Sequence, residues 1–363
     1  MATTLSPAEV FPPGEYLRDE LDERGWTITE FAEIIGRPIQ AVSEILNGKK
    51  EITTETALAF ADALGTTPSL WLNLQTNYRL WTERQDRQTE AESPVARRAR
   101  LRELIPLAEV RKRGWIEDVR ELDALEASVC RFLDISTVSD QPQFALAARR
   151  SNSAEPITIE QTAWLAHVRH VAADRSVAAF DRLALESIAA QLPRQLRAGP
   201  TALSALDSIL AECGVILVFS EGLKGGKLDG AVTFLRDGRP VIALTARGDR
   251  FDSLVFTLLH ESAHLVLEHL TPDHPSIVEY DIAESAQDPI EIEANERAHE
   301  WLFPNDLVVS STSIPSIVGA ADELEVHPSI VLGQVQRKQD NWSLHRRLVP
   351  KVRAILRDEG LLV

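Results

Sequence analysis

The chain has 363 residues, and because 55 aspartates and glutamates outnumber 38 lysines and arginines its formal net charge is −17. This acidic balance argues against a protein that coats nucleic acid through bulk positive charge. A hydrophobic content of 44% and a charged content of 26% are typical of globular proteins and exclude a disordered or fibrous chain. At roughly 150 residues per domain, the length predicts two or three domains with their own cores.

The two cysteines, Cys130 and Cys213, are far apart and form no metal-binding or redox motif. We therefore expect reduced thiols in a cytoplasmic protein, without a disulfide framework. The first ten residues contain neither a basic region nor an apolar stretch, and no run approaches the about 18 apolar residues of a membrane span. This pattern predicts neither export nor contact with a membrane.

The first predicted domain, residues 1–82, contains five short helices separated by turn signals. We expect them at residues 14–24, 30–35, 39–46, 54–64 and 69–78. Thr29 and Thr53 are expected to cap the second and fourth helices. The tight turn Gly36-Arg37-Pro38 between the second and third helices is typical of a helix-turn-helix.

This stretch resembles the lambda-repressor-like family, and in particular the HigA-type antitoxins of host-inhibition toxin modules. Residues 28–32 (ITEFA), 42–48 (VSEILNG), 57–61 (ALAFA) and 71–78 (WLNLQTNY) carry the resemblance. In that family the third helix lies in the major groove of operator DNA. The resemblance implies a homodimer whose DNA contacts come from Arg37, Gln40, Ser43, Glu44, Lys49 and Lys50.

The charge of this segment opposes DNA binding, because residues 1–80 carry six basic and twelve acidic side chains. Five of the acids fall in the first predicted helix, whereas Arg37, Lys49 and Lys50 flank the helix that would read DNA. We therefore predict DNA binding through a small, locally basic surface. The alternative is a helical dimerisation or docking module that has kept the fold without an operator.

In residues 83–200 apolar residues recur at helical spacing. This pattern predicts a helical linker or middle domain. The polar stretch at residues 82–93 precedes Pro94 and predicts a solvated linker or a frayed helix end. His167 and His170 are three residues apart and are suited to sharing a metal ion, but packing is the favoured interpretation of both. We assign no chemistry to this segment.

The third predicted domain, residues 201–363, contains the predicted strands, at residues 215–220, 230–235 and 241–244. Asp237 and Gly238 predict a hairpin between the last two strands. We therefore expect a small antiparallel sheet before a helix that begins near Asp252. The edge of the strand at residues 230–235 is a candidate for pairing with a substrate backbone, and the alternative is an edge covered by a loop.

The sequence His260-Glu261-Ser262-Ala263-His264 has the HExxH pattern of zinc peptidases. Two histidines four residues apart project from one face of a helix, so both imidazoles can bind one zinc ion. Glu261 lies between them in sequence, where a carboxylate can take a proton from a zinc-bound water. The motif therefore predicts two metal ligands and a catalytic base.

A catalytic zinc ion usually has a third protein ligand, which we expect from a later helix. Residues 289–304 begin and end at proline and predict such a helix. Glu291 is the favoured ligand, and Asn295, one turn later on the same face, would hydrogen-bond the outer ring nitrogen of a ligand histidine. Glu293 is the alternative ligand, and since it lies about 200° around the helix from Glu291 we do not expect both carboxylates at one site.

This region resembles the ImmA/IrrE family of metallopeptidases, which includes phage-immunity anti-repressors and a radiation-response protease. Residues 258–265 (LLHESAHL), 291–298 (EIEANERA) and 301–304 (WLFP) carry the resemblance, which spans about residues 201–304. It implies a zinc endopeptidase with a thermolysin-like α+β fold that cleaves helix-turn-helix repressors. His299 departs from the family pattern and is interpreted as a packing substitution rather than a fourth ligand. Four side chains are candidates for oxyanion stabilisation: Tyr280, His269, His274 and His299.

The leading hypothesis is a mainly α-helical cytoplasmic regulator in which a helix-turn-helix domain precedes a zinc endopeptidase. Its substrate would be a repressor or antitoxin, or its own linker near residues 82–96. The alternative is an antitoxin-like, operator-binding dimer whose metal site is structural or vestigial. Glu261 favours catalysis, because a structural zinc site needs no general base. A third hypothesis is a peptidase whose N-terminal bundle only recruits protein.

Overall fold

The computed structural model describes residues 10–88, 93–146, 148–150, 157–270, 276–280, 288–304, 309 and 311–363. The chain forms two compact units, Met1–Ala96 and Arg97–Val363. Within the described residues, no helix is long and apolar enough to span a membrane. The finer division into residues 1–82, 83–200 and 201–363 stays a prediction.

The first unit is the expected bundle of five helices. These are α1 (Pro13–Arg24), α2 (Ile28–Ile34), α3 (Ile39–Leu46), α4 (Thr54–Leu64) and α5 (Pro68–Gln88). Three aromatic rings form the centre of its core: Phe31 lies 5.3 Å from Phe60, and Phe60 lies 5.2 Å from Trp71 between ring centroids. Because these rings come from α2, α4 and α5, their packing ties the helix-turn-helix to the rest of the bundle.

Two details of this unit differ from the sequence-based expectation. The cap of α2 is Thr27 rather than Thr29, because the Thr27 hydroxyl accepts a hydrogen bond from Glu30 N while the Glu30 carboxylate accepts one from Thr27 N. The stretch after residue 82 continues α5 to Gln88, since it contains good helix formers and neither proline nor glycine. Residues 89–92 lie outside the described part of the chain.

The turn before α3 and the start of α1 fix the position of α3. Gly36 adopts φ = 63°, a left-handed conformation that favours glycine, and Arg37 N donates to Ala32 O at 2.9 Å. At the other end of α3, a Cβ on Gly14 would lie 2.7 Å from the carbonyl oxygen of Leu46. Glycine at this position therefore lets α1 pack directly against the end of α3.

The second unit combines helices with one mixed sheet. Between residues 94 and 195 it contains α6 (Pro94–Leu104), α7 (Leu107–Lys112), α8 (Leu122–Leu133), α9 (Gln143–Leu146), β1 (Ala148–Arg150), α10 (Ile159–Ala173) and α11 (Arg182–Gln195). The strands that follow are β2 (Ile216–Phe219), β3 (Leu228–Phe234), β4 (Pro240–Leu244) and β5 (Ser276–Tyr280). The remaining helices are α12 (Leu206–Glu212), α13 (Phe251–Val266), α14 (Pro289–Leu302), α15 (Ile314–Leu324), α16 (Pro328–Lys338) and α17 (Arg353–Asp358).

The sheet has the strand order β1-β5-β3-β4-β2. The predicted hairpin of β3 and β4 is present and antiparallel, with Val232 paired to Ile242. The expectation of a purely antiparallel sheet was wrong, because β2 runs parallel to β4 and β1 runs parallel to β5. The sheet is therefore mixed, and a thermolysin-like fold is not established by it.

Helices cover both faces of the sheet. Alternate residues of β2 point to opposite sides: Leu217 and Phe219 pack in the core that includes α11, α13 and α16, whereas Ile216 and Val218 pack in the core that includes α8 and α10. Strand burial on both faces explains the continuous apolar run of β2. Helices α8 and α10 of the middle segment thus form one layer against this sheet.

The strand expected to offer an open edge for substrate lies inside the sheet. β3 pairs with β4 on one side and antiparallel with β5 on the other, where Gly230 is opposite Glu279. The expectation of a free edge at residues 230–235 was therefore wrong. A segment of the chain itself, β5, takes the place in which an added strand would pair.

Candidate metal centre and nucleic-acid interface

Helix α13 carries the HExxH motif in the interior of the second unit. The helix begins after Arg250 and contains neither proline nor glycine over its 16 residues. Its motif residues are shielded on all sides, since His260, Glu261 and His264 have no solvent exposure. Helix α14 packs against α13 and contributes Glu291, which is 2% exposed.

Three side chains on these two helices converge on one point. His260 Nε2 lies 2.9 Å from His264 Nε2, and Glu291 Oε2 lies 3.2 Å from the first nitrogen and 3.6 Å from the second. The ligand atoms of these three residues all lie within 4.8 Å of one another. Among the residues that the structure describes, this is the group of histidines, cysteines and acids able to hold a metal ion.

The chemistry of this group fits a divalent cation such as Zn²⁺. Two imidazole nitrogens and a carboxylate oxygen that face one another present lone pairs, which repel unless a proton or a cation lies between them. A tetrahedral zinc ion with bonds of about 2.0–2.1 Å would place neighbouring ligand atoms about 3.3–3.4 Å apart. The observed separations of 2.9 to 3.6 Å bracket that value. Glu291 Oε2 is also buried and receives no hydrogen bond from the described residues.

The outer nitrogens of both histidines have partners that orient the rings. His260 Nδ1 lies 3.1 Å from Asn295 Oδ1, which can accept its proton and direct Nε2 toward Glu291. The Asn295 contact is the one expected from the spacing of α14. His264 Nδ1 lies 2.9 Å from Nδ1 of His269, a residue that the sequence analysis had considered only as an oxyanion donor.

His269 extends the network to Glu293. Its Nε2 lies 3.3 Å from Glu293 Oε2, and burial lowers the pKa of His269, so that the neutral ring accepts from His264 and donates to Glu293. Glu293 is thus linked to the histidines through His269, but it is exposed and is not one of the three residues of the metal-capable group. The one sequence signal for this contact was that His269 follows His264 by five residues. Because His269 lies beyond the end of α13, helical spacing did not indicate that the two rings would meet.

The side chain of Glu261 packs against β3 at Gly230. A Cβ on Gly230 would collide with Glu261 Oε1 and lie 2.8 Å from Cγ2 of Thr257. Only glycine at this position lets the strand pass directly over the carboxylate. Glu261, the expected base, therefore lies next to the sheet at Gly230 of β3. On the other side of β3, Gly230 pairs with Glu279 of β5.

The other oxyanion candidates fall in different places. His299 Nε2 lies 3.0 Å from Gln334 Nε2, and its ring is tilted against that of Phe303 with centroids 5.0 Å apart, outside the metal-capable group. Tyr280 ends β5, and His274 lies outside the described residues. None of the four candidates is thereby assigned as the donor, and the role stays open to measurement.

The two histidines of the middle segment pack against aromatic rings. His167 stacks on Trp115 with ring centroids 4.0 Å apart, and burial lowers its pKa to about 4. His170 stacks on Phe132 and lies 2.9 Å from the Phe132 carbonyl oxygen. Neither belongs to the metal-capable group of the described residues.

The predicted DNA-contacting residues lie on and around α3. Gln40, Lys49 and Lys50 are exposed, and Arg37, Ser43 and Glu44 are partly buried. Several of them bond within the first unit: Gln40 Nε2 donates to Glu44 Oε1 at 3.0 Å, and Arg37 pairs with Glu55 at 2.9 Å. A DNA contact by these side chains would therefore exchange one hydrogen bond or ion pair for another.

The similarities to known proteins described next lie in the first unit. The helix-turn-helix family model matches residues 17–71. The uncharacterized HTH-type transcriptional regulator YddM of Escherichia coli is 34% identical over 68 residues, which are 19% of this chain and 72% of that protein. Antitoxin HigA-1 of Vibrio cholerae is 40% identical over 79 residues, which are 22% of this chain and 74% of that protein. A solved structure of Pseudomonas aeruginosa antitoxin HigA with the higBA promoter is 27% identical, with a TM-score of 0.22, and covers 23% of this chain and 97% of the other.

Proposed function

Because the chain belongs to the helix-turn-helix family through residues 17–71, we propose that it is a transcriptional regulator whose second unit is a zinc-dependent endopeptidase. The first unit would bind operator DNA as a dimer in the manner of HigA-type antitoxins. The second would cleave a helix-turn-helix repressor or antitoxin, or this chain near residues 82–96, in a stress, phage or toxin–antitoxin response.

The convergence of His260, His264 and Glu291 is the observation that carries the enzymatic proposal. Three ligands from two helices leave a zinc ion one coordination position short of four, which is the arrangement of catalytic rather than structural zinc sites. Zinc held there would lower the pKa of a coordinated water toward neutrality and polarise a peptide carbonyl. The resemblance of the motif residues to ImmA/IrrE peptidases supports the same activity.

Four further residues would act around the zinc ligands. The Glu261 carboxylate would accept a proton from the attacking water and pass it to the leaving amine. Asn295 and His269 would hold the two histidine rings in the tautomers that leave both Nε2 lone pairs free for metal. Glu293 would accept the hydrogen bond from His269 Nε2–H that fixes the tautomer in which His269 Nδ1 is the acceptor.

The test combines metal analysis with cleavage of a helix-turn-helix repressor encoded beside this chain. We expect about one zinc ion per wild-type chain and cleavage of the repressor, and we expect Glu261→Gln to bind zinc but to cleave about 10²- to 10⁴-fold more slowly. Glu296→Gln is the matched control, because it makes the same change at an exposed position of α14. Equal cleavage by Glu261→Gln and wild type would remove Glu261 as the base.

Burial of the site supports a second candidate function. His260, His264 and Glu261 are fully buried and Glu291 nearly so, which suits a metal ion that stabilises the fold of an antitoxin-like regulator. This alternative predicts stoichiometric zinc, operator binding and no cleavage by wild type. A repressor that stays intact with zinc-loaded wild type, while chelation unfolds the second unit, would favour it.

A further inference from the structure

A cavity of about 410 Å³ lies in the second unit beside the candidate metal centre. It is open to solvent on one side and is lined by α13, α14 and α16 together with Asp229 of β3, the chain after β4 and the segment around Trp342. Its volume falls in the range of about 300–1,000 Å³ that is typical of small-molecule sites. None of the three metal-capable residues lines it, so it is a separate site.

The cavity is nevertheless built on the two helices that carry the metal-capable residues. Phe256 and Thr257 lie one turn before His260 and Glu261 on α13, and the cavity reaches one turn further to Ser253. On α14 it is lined by His299, one turn after Asn295. A molecule in the cavity would therefore touch the same faces of both helices that position the metal ligands.

The lining is mostly apolar. Aromatic and aliphatic side chains surround the space on several sides: Phe256, Leu302, Phe303, Ile330 and Trp342. Uncharged polar or imidazole groups come from Gln334, His299, Ser253 and Thr257, and four charged side chains also line the space: Asp229, Arg247, Asp252 and Arg337. Such a surface favours a ligand with an apolar body and a small number of polar atoms.

The lining holds two acids, Asp229 and Asp252, and two arginines, Arg247 and the exposed Arg337, while Arg250 pairs with Asp252 from outside the lining. Arg247 donates to both Asp229 oxygens at 2.8 and 3.0 Å, and Asp252 receives a bidentate pair from Arg250. Arg337 also lines the cavity and has no carboxylate partner in the described part of the chain. The local balance therefore favours an anion over a neutral or cationic ligand.

We propose that this cavity binds a small organic anion, whose apolar body packs among Phe256, Phe303 and Trp342 and whose acidic group pairs with Arg337. Binding there would stabilise the packing of α13 on α14 and act on the metal centre through these helices. The site does not depend on peptidase activity. It is therefore tested with zinc removed as well as with zinc bound.

The probes are 8-anilinonaphthalene-1-sulfonate and its uncharged counterpart N-phenyl-1-naphthylamine, titrated into the full chain with zinc bound and, separately, in the presence of EDTA. We expect one anionic probe per chain, with a change in Trp342 emission. Ser253→Trp, which places an indole in the cavity from an exposed position, should weaken both probes at least about tenfold. Arg337→Ala should weaken the sulfonate about fivefold and leave the uncharged probe unchanged.

Lys338→Ala is the matched control, because Lys338 is the next exposed cation and does not line the cavity. Trp342→Phe keeps an aromatic ring in the lining, so it should give a smaller emission change and weaken sulfonate binding less than Ser253→Trp does, and a folding defect in Ser253→Trp then does not decide the outcome alone. Unaltered binding of both probes by Ser253→Trp, or an emission change in Trp342→Phe as large as that of wild type, would overturn the site. Equal affinities of both probes for wild type and Arg337→Ala would overturn the anionic class.

Discussion

The two units hold their candidate sites in opposite environments. Around α3, Gln40, Lys49 and Lys50 are exposed to solvent, whereas the metal-capable group in the second unit is buried. An exposed polar side chain can be replaced with little effect on the fold, but a buried one must be paired or must hold a metal ion. Function and stability are therefore separable in the first unit and coupled in the second.

This difference also decides which experiments are informative. The range matched by the helix-turn-helix family, residues 17–71, contains both the buried core of the bundle, such as Phe31 and Phe60, and the exposed side chains proposed to read DNA. In the second unit the candidate site is itself part of the interior. The sharpest experiments therefore ask whether losing a site also loses the fold.

The largest expected effect is that of metal removal. If zinc is bound at a thousand times its dissociation constant, it stabilises the fold by about 4 kcal/mol, and its removal should lower the melting temperature of the second unit by about 10 °C. His260→Ala should lower the zinc content from about one ion per chain to background. Metal analysis and thermal unfolding measure these changes.

Hydrogen exchange tests whether the effect is confined to one unit. Chelation should deprotect amides of α13 and α14 and leave those of α1 to α5 unchanged. His170→Ala is the matched control, because it removes a packed histidine of the same unit that lies outside the metal-capable group. If the amides of α13 keep their protection from exchange after chelation, the metal does not stabilise the second unit. The site and the stability of that unit would then be as separable as in the first unit.

The next largest effect is expected from Gly230→Ala. The added methyl group would collide with Glu261 Oε1 and press on Thr257, and overpacking of this kind costs about 1–3 kcal/mol. Urea unfolding measures the loss. Gly319→Ala is the control, because Gly319 lies in α15 and a Cβ there meets no atom within 4 Å, so the free energy of unfolding should rise by about 0.5–1 kcal/mol. Equal effects of both substitutions would show that β3 does not press on the carboxylate.

The local elements of both units were accessible from the sequence. The bounds of α3 and α4 match the prediction, since a proline precedes α3 and Thr53 and Gly65 cap the two ends of α4. The convergence of Glu291 with the two histidines was also expected, because helical spacing restricts which residues share a face. These features depend on residues close together in sequence.

Long-range pairing was not accessible in the same way. β5 contains five residues and follows α13 without a hairpin signal, so its place beside β3 depends on tertiary contacts rather than on local pattern. The continuous apolar run of β2 indicated burial on both faces, but it did not identify β4 as the strand with which β2 pairs in parallel. The contact of His269 with His264 was missed because it arises after α13 has ended.

A smaller effect is expected from pH through His167. Its pKa is lowered to about 4 by burial against Trp115, whereas that of an unfolded-state histidine is about 6.5. The unfolded chain therefore binds a proton first as pH falls, so this contribution to stability is present above about pH 6.5 and is lost toward pH 4. Between pH 7 and pH 5 the loss at this residue should be about 2 kcal/mol. His167→Phe keeps an aromatic ring against Trp115 but cannot bind a proton. Between pH 7 and pH 5 its free energy of unfolding should therefore fall by about 2 kcal/mol less than that of wild type.

The smallest effect is expected at Lys49, an exposed residue through which the first unit is proposed to contact DNA. If Lys49 contacts a phosphate, Lys49→Ala should weaken operator binding uniformly across sequences and reduce the slope of log affinity against log salt by about 1, without a change in thermal stability. Lys224→Ala, at an exposed position of the second unit, should leave both quantities unchanged. Binding at several salt concentrations by fluorescence anisotropy measures the slope. Because the lysine is exposed, an unchanged slope in a fully folded variant would exclude this phosphate contact and favour a docking role for the bundle.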